Sequence, residues 1–298
     1  MSRWVTAMMV DDCLHDPVLG AEVLLGYKIP PHEALRIRGM WLSRFMIDSS
    51  GSGTGKSFNI AIVAALRTLL IEDRMSGIIS KTFPQGKLVY ANFDRWIETS
   101  PIFRNEIRKN RVGEPMSSHG TDVWQLTARN GSVVRVIPPG FMNDAERAAS
   151  ESWTDGYYDE WTRYHNYEAL DRLLIPRVRK PIPECYDAEN PVFGHHVYLG
   201  GTAAYQWNPA YQKVVHFIDQ IALGSRRYEV QAWNYTHYPE RFKRLLNPDM
   251  IDYMRASLRP DQFQMEVMGR WVRDSVGYYS ARDVAALRES GCPVITEN

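Results

Sequence analysis

The sequence predicts an α/β protein with a mostly parallel central sheet flanked by helices. Three observations predict it. Short apolar runs bounded by Gly, Pro or charged residues alternate with longer stretches of helical character. The stretch SGSGTGKS at 50–57 stands between a strand-like run and a helix-like run, where a phosphate-binding loop belongs. The 298 residues, 44% of them hydrophobic, suffice for one large domain or two ordinary ones.

The elements follow in order. Residues 1 to about 40 read as helical, with a break at Pro30-Pro31. Ser43 to Asp48 is a buried strand, and Phe58 to Ile71 is a long apolar helix without Gly or Pro. Ser76 to Ser80 is a second strand. Leu88 to Glu98 is a helix with Val89, Phe93, Trp96 and Ile97 near one face. Val123 to Thr127 and Ser132 to Ile137 form a hairpin about the turn Arg129-Asn130-Gly131, which Pro138-Pro139-Gly140 ends. Ala145 to Glu151 is a short helix or loop. Gly156 to Glu160 is a strand, Tyr167 to Arg179 a helix, Val197 to Leu199 a strand and Tyr228 to Trp233 another. Pro248 to Leu258 and Asp261 to Val272 read as helices.

The phosphate-loop pattern is G-x-x-x-x-G-K-[ST], and Ser50 replaces its first Gly. The physics tolerates that. Gly51, Gly53 and Gly55 let the chain approach a phosphate, and Ser52 and Thr54 add backbone N–H groups to an anion-binding concavity. The helix that follows contributes its unpaired N–H groups and dipole. Lys56 would neutralise the β and γ phosphates, and the Ser57 hydroxyl would face Mg²⁺.

Hydrolysis needs a metal-binding acid and a group that orients water. WTDGYYDEW at 153–161 places Asp159 and Glu160 at the end of a strand, where ligands of open α/β sheets bind. Asp159 is the metal candidate and Glu160 the candidate base. Asp155, at the strand start, competes for the metal role. VYLGGTAAYQWNP at 197–209 supplies a strand ending in Gly200-Gly201-Thr202. It is either a plain glycine turn or a hydroxyl that senses the γ phosphate.

Composition excludes several classes. There are 35 basic and 35 acidic side chains, so no global signature of nucleic-acid binding exists. Arg104 to Arg111, Arg172 to Lys180 and Arg241 to Arg244 are basic stretches, each read first as a solvated face. Cys13, Cys185 and Cys292 form neither a metal spacing nor a disulfide framework, which suits a reducing cytoplasm. No apolar run is long enough to span a bilayer. His195-His196 lacks a partner spacing for metal.

The order SGSGTGKS, YYDE, GGTA and then FQMEVMGRW at 263–271 resembles the ATPase domain of the large terminase subunit, the DNA-packaging motor of tailed bacteriophages. Phe263, Glu266, Gly269 and Trp271 match that family's closing spacing F-x-x-E-x-x-G-x-[FW]. The resemblance covers roughly residues 30 to 275. It implies a phosphate-loop NTPase of the additional-strand catalytic-glutamate class, with ATP and Mg²⁺ as cofactors. Residues Ser50 to Ser57 would bind nucleotide, Ser57 and Asp159 metal, and Glu160 would activate water. Thr202 would belong to the coupling element. Family members often carry an adenine-contacting Gln near Pro31-His32-Glu33, where this chain has none. Some carry an Arg inside the loop; here a finger must come from elsewhere, Arg147 or a neighbouring subunit.

The resemblance further implies double-stranded DNA, a portal protein and a small terminase subunit as partners. It implies a homo-oligomeric ring, a pentamer, at the procapsid portal in the bacterial host cytoplasm. On this reading residues 1–275 are the ATPase domain: a helical N-terminal segment over 1–40, a core over 41–235 and a helical closing segment over 236–275. Residues 276–298 would lead toward a nuclease domain that the sequence does not contain, so no nuclease activity is expected. A helicase-like DNA-dependent ATPase and a non-hydrolysing nucleotide-binding switch are the alternatives. A single ATPase core argues against the first, and Glu160 against the second.

Overall fold

A computed structural model of the chain describes residues 3–121, 123–137, 151–164, 170–237 and 247–273. Its strands are β1 (Phe45–Asp48), β2 (Met75–Ser80), β3 (Ser117–His119), β4 (Trp124–Thr127), β5 (Val133–Ile137), β6 (Asp155–Asp159), β7 (His196–Gly200) and β8 (Tyr228–Gln231). They form one eight-stranded sheet in the order β3-β4-β5-β2-β6-β7-β1-β8. The six strands from β5 to β8 pair in parallel, and β3 and β4 extend that sheet antiparallel.

Register sets the site. Ser80 pairs with Asp159, Asp159 with Gly200, and Gly200 with Asp48. The carboxyl ends of β2, β6, β7 and β1 therefore finish level, at one edge of the sheet. Side chains alternate across that sheet with period two. Met46, Ile78 and Tyr157 enter the core on one face; their neighbours Ile47, Ile79 and Tyr158 enter the core on the other. Tyr157 and Tyr158, aromatic where aliphatic residues are usual, lie in separate cores.

The helix Lys56–Leu70 is buried from Asn59 to Thr68, including Ile60, Ile62, Val63 and Leu66. A helix apolar all round belongs between layers. It packs between the sheet and the helices Pro31–Leu42 and Phe83–Thr99. Its C-terminal carbonyls are held from the hairpin turn: Asn130 Nδ2 donates to the carbonyls of Thr68, Leu69 and Ile71 at 3.0, 3.3 and 3.3 Å. The opposite face is covered by the helix Pro209–Ala222, through Ala210, Val214 and Phe217.

Several expectations shift. The helix expected over 167–179 is not one: Leu170–Leu174 is a π turn and Ile175–Arg177 a 3-10 turn, and residues 165–169 lie outside the described residues. Pro176 lacks an N–H and its ring obstructs the preceding turn, so an α-helix cannot run through. The helix expected over 261–272 is Pro260–Glu266. Gly269 ends it in the left-handed region, at φ 64°, where a Cβ would stand 2.6 Å from the Ser49 carbonyl. The strand expected over 156–160 runs from 155 to 159. The short strand β3, the helix Pro101–Glu106 and the helix Pro209–Ala222 were not anticipated. Residues 138–150, with Arg147, and 274–298, with the expected linker, lie outside the described residues.

Candidate active site

The loop after β1 is held from beneath by one carboxylate. Asp48, fully buried at the end of β1, pairs with Arg36 Nε at 2.7 Å and accepts from Tyr198 Oη at 3.0 Å. It also accepts from the Ser50 N–H at 3.1 Å and from the Ser50 hydroxyl. Arg36 rises from the helix Pro31–Leu42 and donates to the Thr54 carbonyl at 2.5 Å and to Ser50 Oγ at 3.1 Å. Ser50 Oγ accepts further from the Trp233 N–H at 2.8 Å. The departure from the phosphate-loop pattern thus has a reason. Ser50 does not adopt positive φ, so Gly is not required, and its hydroxyl joins the loop to three elements. Arg36 was missed in the sequence; its signal is a charge spaced with Ile37, Met40 and Trp41 on the apolar face of its helix.

Lys56 is buried, and its ammonium donates to the carbonyls of Ser50 and Gly51 at 2.8 and 2.9 Å. Burial lowers its pKa; Asp48, Glu160 and Asp159 act in the opposite sense. Gly55 begins the helix in the left-handed region, at φ 83°. Ser57 Oγ donates to Asp159 Oδ2 at 2.8 Å, joining the first turn of the helix to the end of β6. The two candidate metal-facing residues therefore stand together.

Asp159 Oδ1 is buried without a hydrogen-bond partner. An orphaned carboxylate oxygen beside a serine hydroxyl is a hard-oxygen donor set that fits Mg²⁺, an ion that takes few protein ligands and completes its shell with water and phosphate. No group of three or more His, Cys, Asp or Glu side chains forms a cage among the described residues, and such an ion requires none. Burial, with the Glu160 charge adding to it, pushes the Asp159 carboxyl up to about 6. Mg²⁺ would bind the ionised form. Affinity for magnesium-nucleotide is therefore expected to fall as pH drops through about 6, approaching tenfold per unit below it. Titrations at pH 5, 6 and 7.5 check this. Asp159→Asn should bind weakly with no pH step, and a step of equal size in that variant would place the titrating group elsewhere.

Glu160 follows at once and takes φ 55°, ψ 36°, a left-handed conformation rare for a side chain of its size. The strand thereby ends abruptly and the chain turns into Trp161–Arg163. Glu160 Oε2 lies 3.4 Å from Arg163 Nε. Thr202 is buried after β7, and its carbonyl accepts from Thr162 Oγ1 at 2.8 Å. The Gly201 N–H donates to the Asp48 carbonyl at 3.0 Å. The Gly200-Gly201-Thr202 turn thus touches both the loop strand and the turn after Glu160.

The closing segment lies over the phosphate loop. Ser52 N–H donates to the Glu266 carbonyl at 2.6 Å, and Trp271 Nε1 to Ser49 Oγ at 3.2 Å. A Cβ on Gly51 would overlap the Val267 carbonyl, so close approach of two backbones requires Gly there.

Other candidates separate from the site. Asp155 is at the far end of β6, paired with Arg74. His196 is buried and contacts the Ser43 carbonyl at 2.8 Å, with its pKa driven well down by burial. His195 contacts the Lys180 carbonyl at 2.7 Å. Arg104, Arg108, Lys109 and Arg111 are exposed, and Arg108, Lys109 and Arg129 line a groove of about 670 Å³ near the amino ends of the parallel strands. Arg241 to Arg244 lie outside the described residues. Among the described residues no helix is long and apolar enough to cross a membrane, and Cys13 and Cys185 are free.

A phosphate loop after β1, an acid at the end of β6, and β7 between those strands define a phosphate-loop NTPase fold of the additional-strand catalytic-glutamate class. No family model matches the chain, and no curated protein matches it. Solved structures do, among them large terminases of bacteriophages and their ATPase domains. The large terminase of bacteriophage HK97 aligns with a TM-score of 0.58 at 11% identity, covering 87% of this chain and 55% of that one. The large terminase ATPase domain of Thermus phage P74-26 aligns at 0.56 and 14% identity, covering 86% of this chain and 99% of that domain. The large terminase of another, thermophilic bacteriophage aligns at 0.55 and 10% identity, covering 80% of this chain and 53% of that one. This last protein has also been solved in complex with ADP and with ATP-gamma-S. At such identities the likeness is one of fold, and the chain spans about half the length of the first and third of these terminases.

Proposed function

We propose that this chain binds ATP with Mg²⁺ and hydrolyses it to drive double-stranded DNA into a viral procapsid. The observation that carries the reading is the 2.8 Å hydrogen bond from Ser57 to Asp159, with Glu160 next in sequence. It unites a phosphate-binding loop, a metal-facing acid and a base candidate at one sheet edge. The loop N–H groups and Lys56 bind the β and γ phosphates. Ser57 and Asp159 would hold Mg²⁺, which when bound neutralises phosphate charge. Glu160 accepts a proton from the attacking water. The Gly200-Gly201-Thr202 turn, bonded to both Asp48 and Thr162, passes loss of the γ phosphate to the rest of the chain.

The residues from 1 to 275 form the ATPase domain on this reading. DNA is held at the groove lined by Arg108, Lys109 and Arg129, whose cations face solvent for non-specific phosphate contact. A ring of copies on a portal protein, with a small terminase subunit delivering DNA in the host cytoplasm, completes the proposal. Arg147 or a neighbouring copy supplies the finger arginine.

The test is ATP turnover by the purified chain, with and without linear duplex DNA. Wild type is expected to hydrolyse ATP, faster with DNA, and Lys56→Ala to lose nucleotide binding. Arg108→Ala/Lys109→Ala is expected to keep basal turnover and lose the DNA response. Binding without turnover, at high protein concentration and with DNA present, would favour a nucleotide switch instead.

A further inference from the structure

Two acids flank one arginine at the mouth of the phosphate loop. Arg163 Nε lies 3.4 Å from Glu160 Oε2, and Arg163 Nη2 pairs with Glu266 Oε1. The other Glu266 oxygen, Oε2, accepts from Ser52 Oγ at 3.3 Å, and the Glu266 carbonyl takes the Ser52 N–H at 2.6 Å. Ser52 lies in the loop whose N–H groups are read as phosphate donors. A carboxylate and a carbonyl on Ser52 occupy those donors and carry the wrong sign beside an incoming phosphate. Arg163 is the cation within reach that offsets the Glu266 charge. The same guanidinium forms an ion pair with Glu160, 3.4 Å from Nε to an Oε2 that has no hydrogen-bond partner, at a residue whose backbone is left-handed.

We propose that Arg163 is a positioning residue shared by the two acids. It orients Glu160 for work on water, and it holds Glu266 as an acidic plug over Ser52 that phosphate must displace. The plug then ties entry of nucleotide to the arrangement of the base: when phosphate takes the Ser52 donors, Glu266 leaves them and Arg163 remains with Glu160. The inference rests on the hydrolysis reading above. Both side chains are partly exposed, Arg163 at 40% and Glu266 at 34%, so substitutions there leave the core intact.

The experiment measures Kd for magnesium-ADP and kcat for ATP in wild type, Glu266→Gln, Arg163→Ala and the double variant. Glu266→Gln should tighten binding about fivefold. Arg163→Ala exposes the Glu266 charge and should weaken binding, and kcat should fall about tenfold or more. In the double variant binding should recover while kcat stays low, and Arg163→Lys should restore only a fraction of kcat. Recovery of kcat in the double variant would show that Arg163 does not position Glu160. Unchanged affinity in Glu266→Gln would remove the plug. Failure of wild type to bind or hydrolyse ATP would instead overturn the functional reading itself, so the two failures are distinguishable.

Discussion

Glu160→Gln is expected to lower ATP turnover by at least about a hundredfold while leaving nucleotide binding within a few-fold of wild type. A base contributes to the rate only when it accepts a proton in the transition state, and an amide of the same shape cannot. Lys56, Ser57 and Asp159 remain, so on the proposed function the nucleotide would keep its partners. The backbone gives a second readout. Glu160 sits at φ 55°, a conformation that costs a non-glycine residue about 1 kcal/mol or more. Glu160→Gly should therefore be as inactive as the Gln variant, yet unfold at a temperature equal to or above that of wild type. Turnover within threefold of wild type in Glu160→Gln would assign the base elsewhere. A large loss of stability in the Gly variant would show that the left-handed turn is held by its side chain.

Asp155→Ala is expected to destabilise the chain by about 3–5 kcal/mol, measured by urea unfolding, before any effect on nucleotide chemistry is considered. Asp155 is fully buried. Arg74 grips it with Nε at 3.0 Å and Nη2 at 2.5 Å, Arg67 stands at 3.8 Å, and Thr154 Oγ1 donates at 2.8 Å. Removing the carboxylate leaves two buried guanidinium groups without their counter-charge. Burial alone would raise the Asp155 pKa, but Arg74 and then Arg67 outweigh it and hold the carboxyl well below the usual range. A depressed acid contributes stability above its unfolded pKa of about 4, and that contribution is lost as pH falls toward the folded value. Wild type should thus lose stability below about pH 4, and Asp155→Asn, already weakened, should show a shallower dependence there. Were Asp155→Ala to keep its stability and lose magnesium-nucleotide, the competing metal role at the strand start would be the correct one.

These two acids show what the sequence made legible. Strand, glycine loop and apolar helix are local features with short periods, and β1, the loop and the helix Lys56–Leu70 fell within two residues of expectation. The Asn130-Gly131 hairpin did too, because one dipeptide determines it. Asp159 was placed by its position at a strand end. Arg36 and Arg163 were not singled out, because each gains its meaning from partners far along the chain: Arg36 from Asp48 and Thr54, Arg163 from Glu266. The helix Pro209–Ala222 was overlooked although Asn208-Pro209 is a start signal, with Asn208 accepting from the Ala210 N–H at 2.9 Å. Its β-branched and aromatic run VVHF has low helix propensity, and packing on the sheet overrides it.

The contact between the closing segment and the phosphate loop carries a consequence for how the molecule comes into being. Ser52 and Glu266 are separated by 214 positions, yet they share hydrogen bonds. Chains emerge from the ribosome amino end first, and contacts between distant positions form late. The strands and the buried helix after the loop can assemble while Glu266 is still untranslated. The loop itself, with Gly51 beneath Val267 and Ser49 beneath Trp271, takes its shape only afterwards. A nascent chain therefore acquires most of its fold well before its glycine loop is finished.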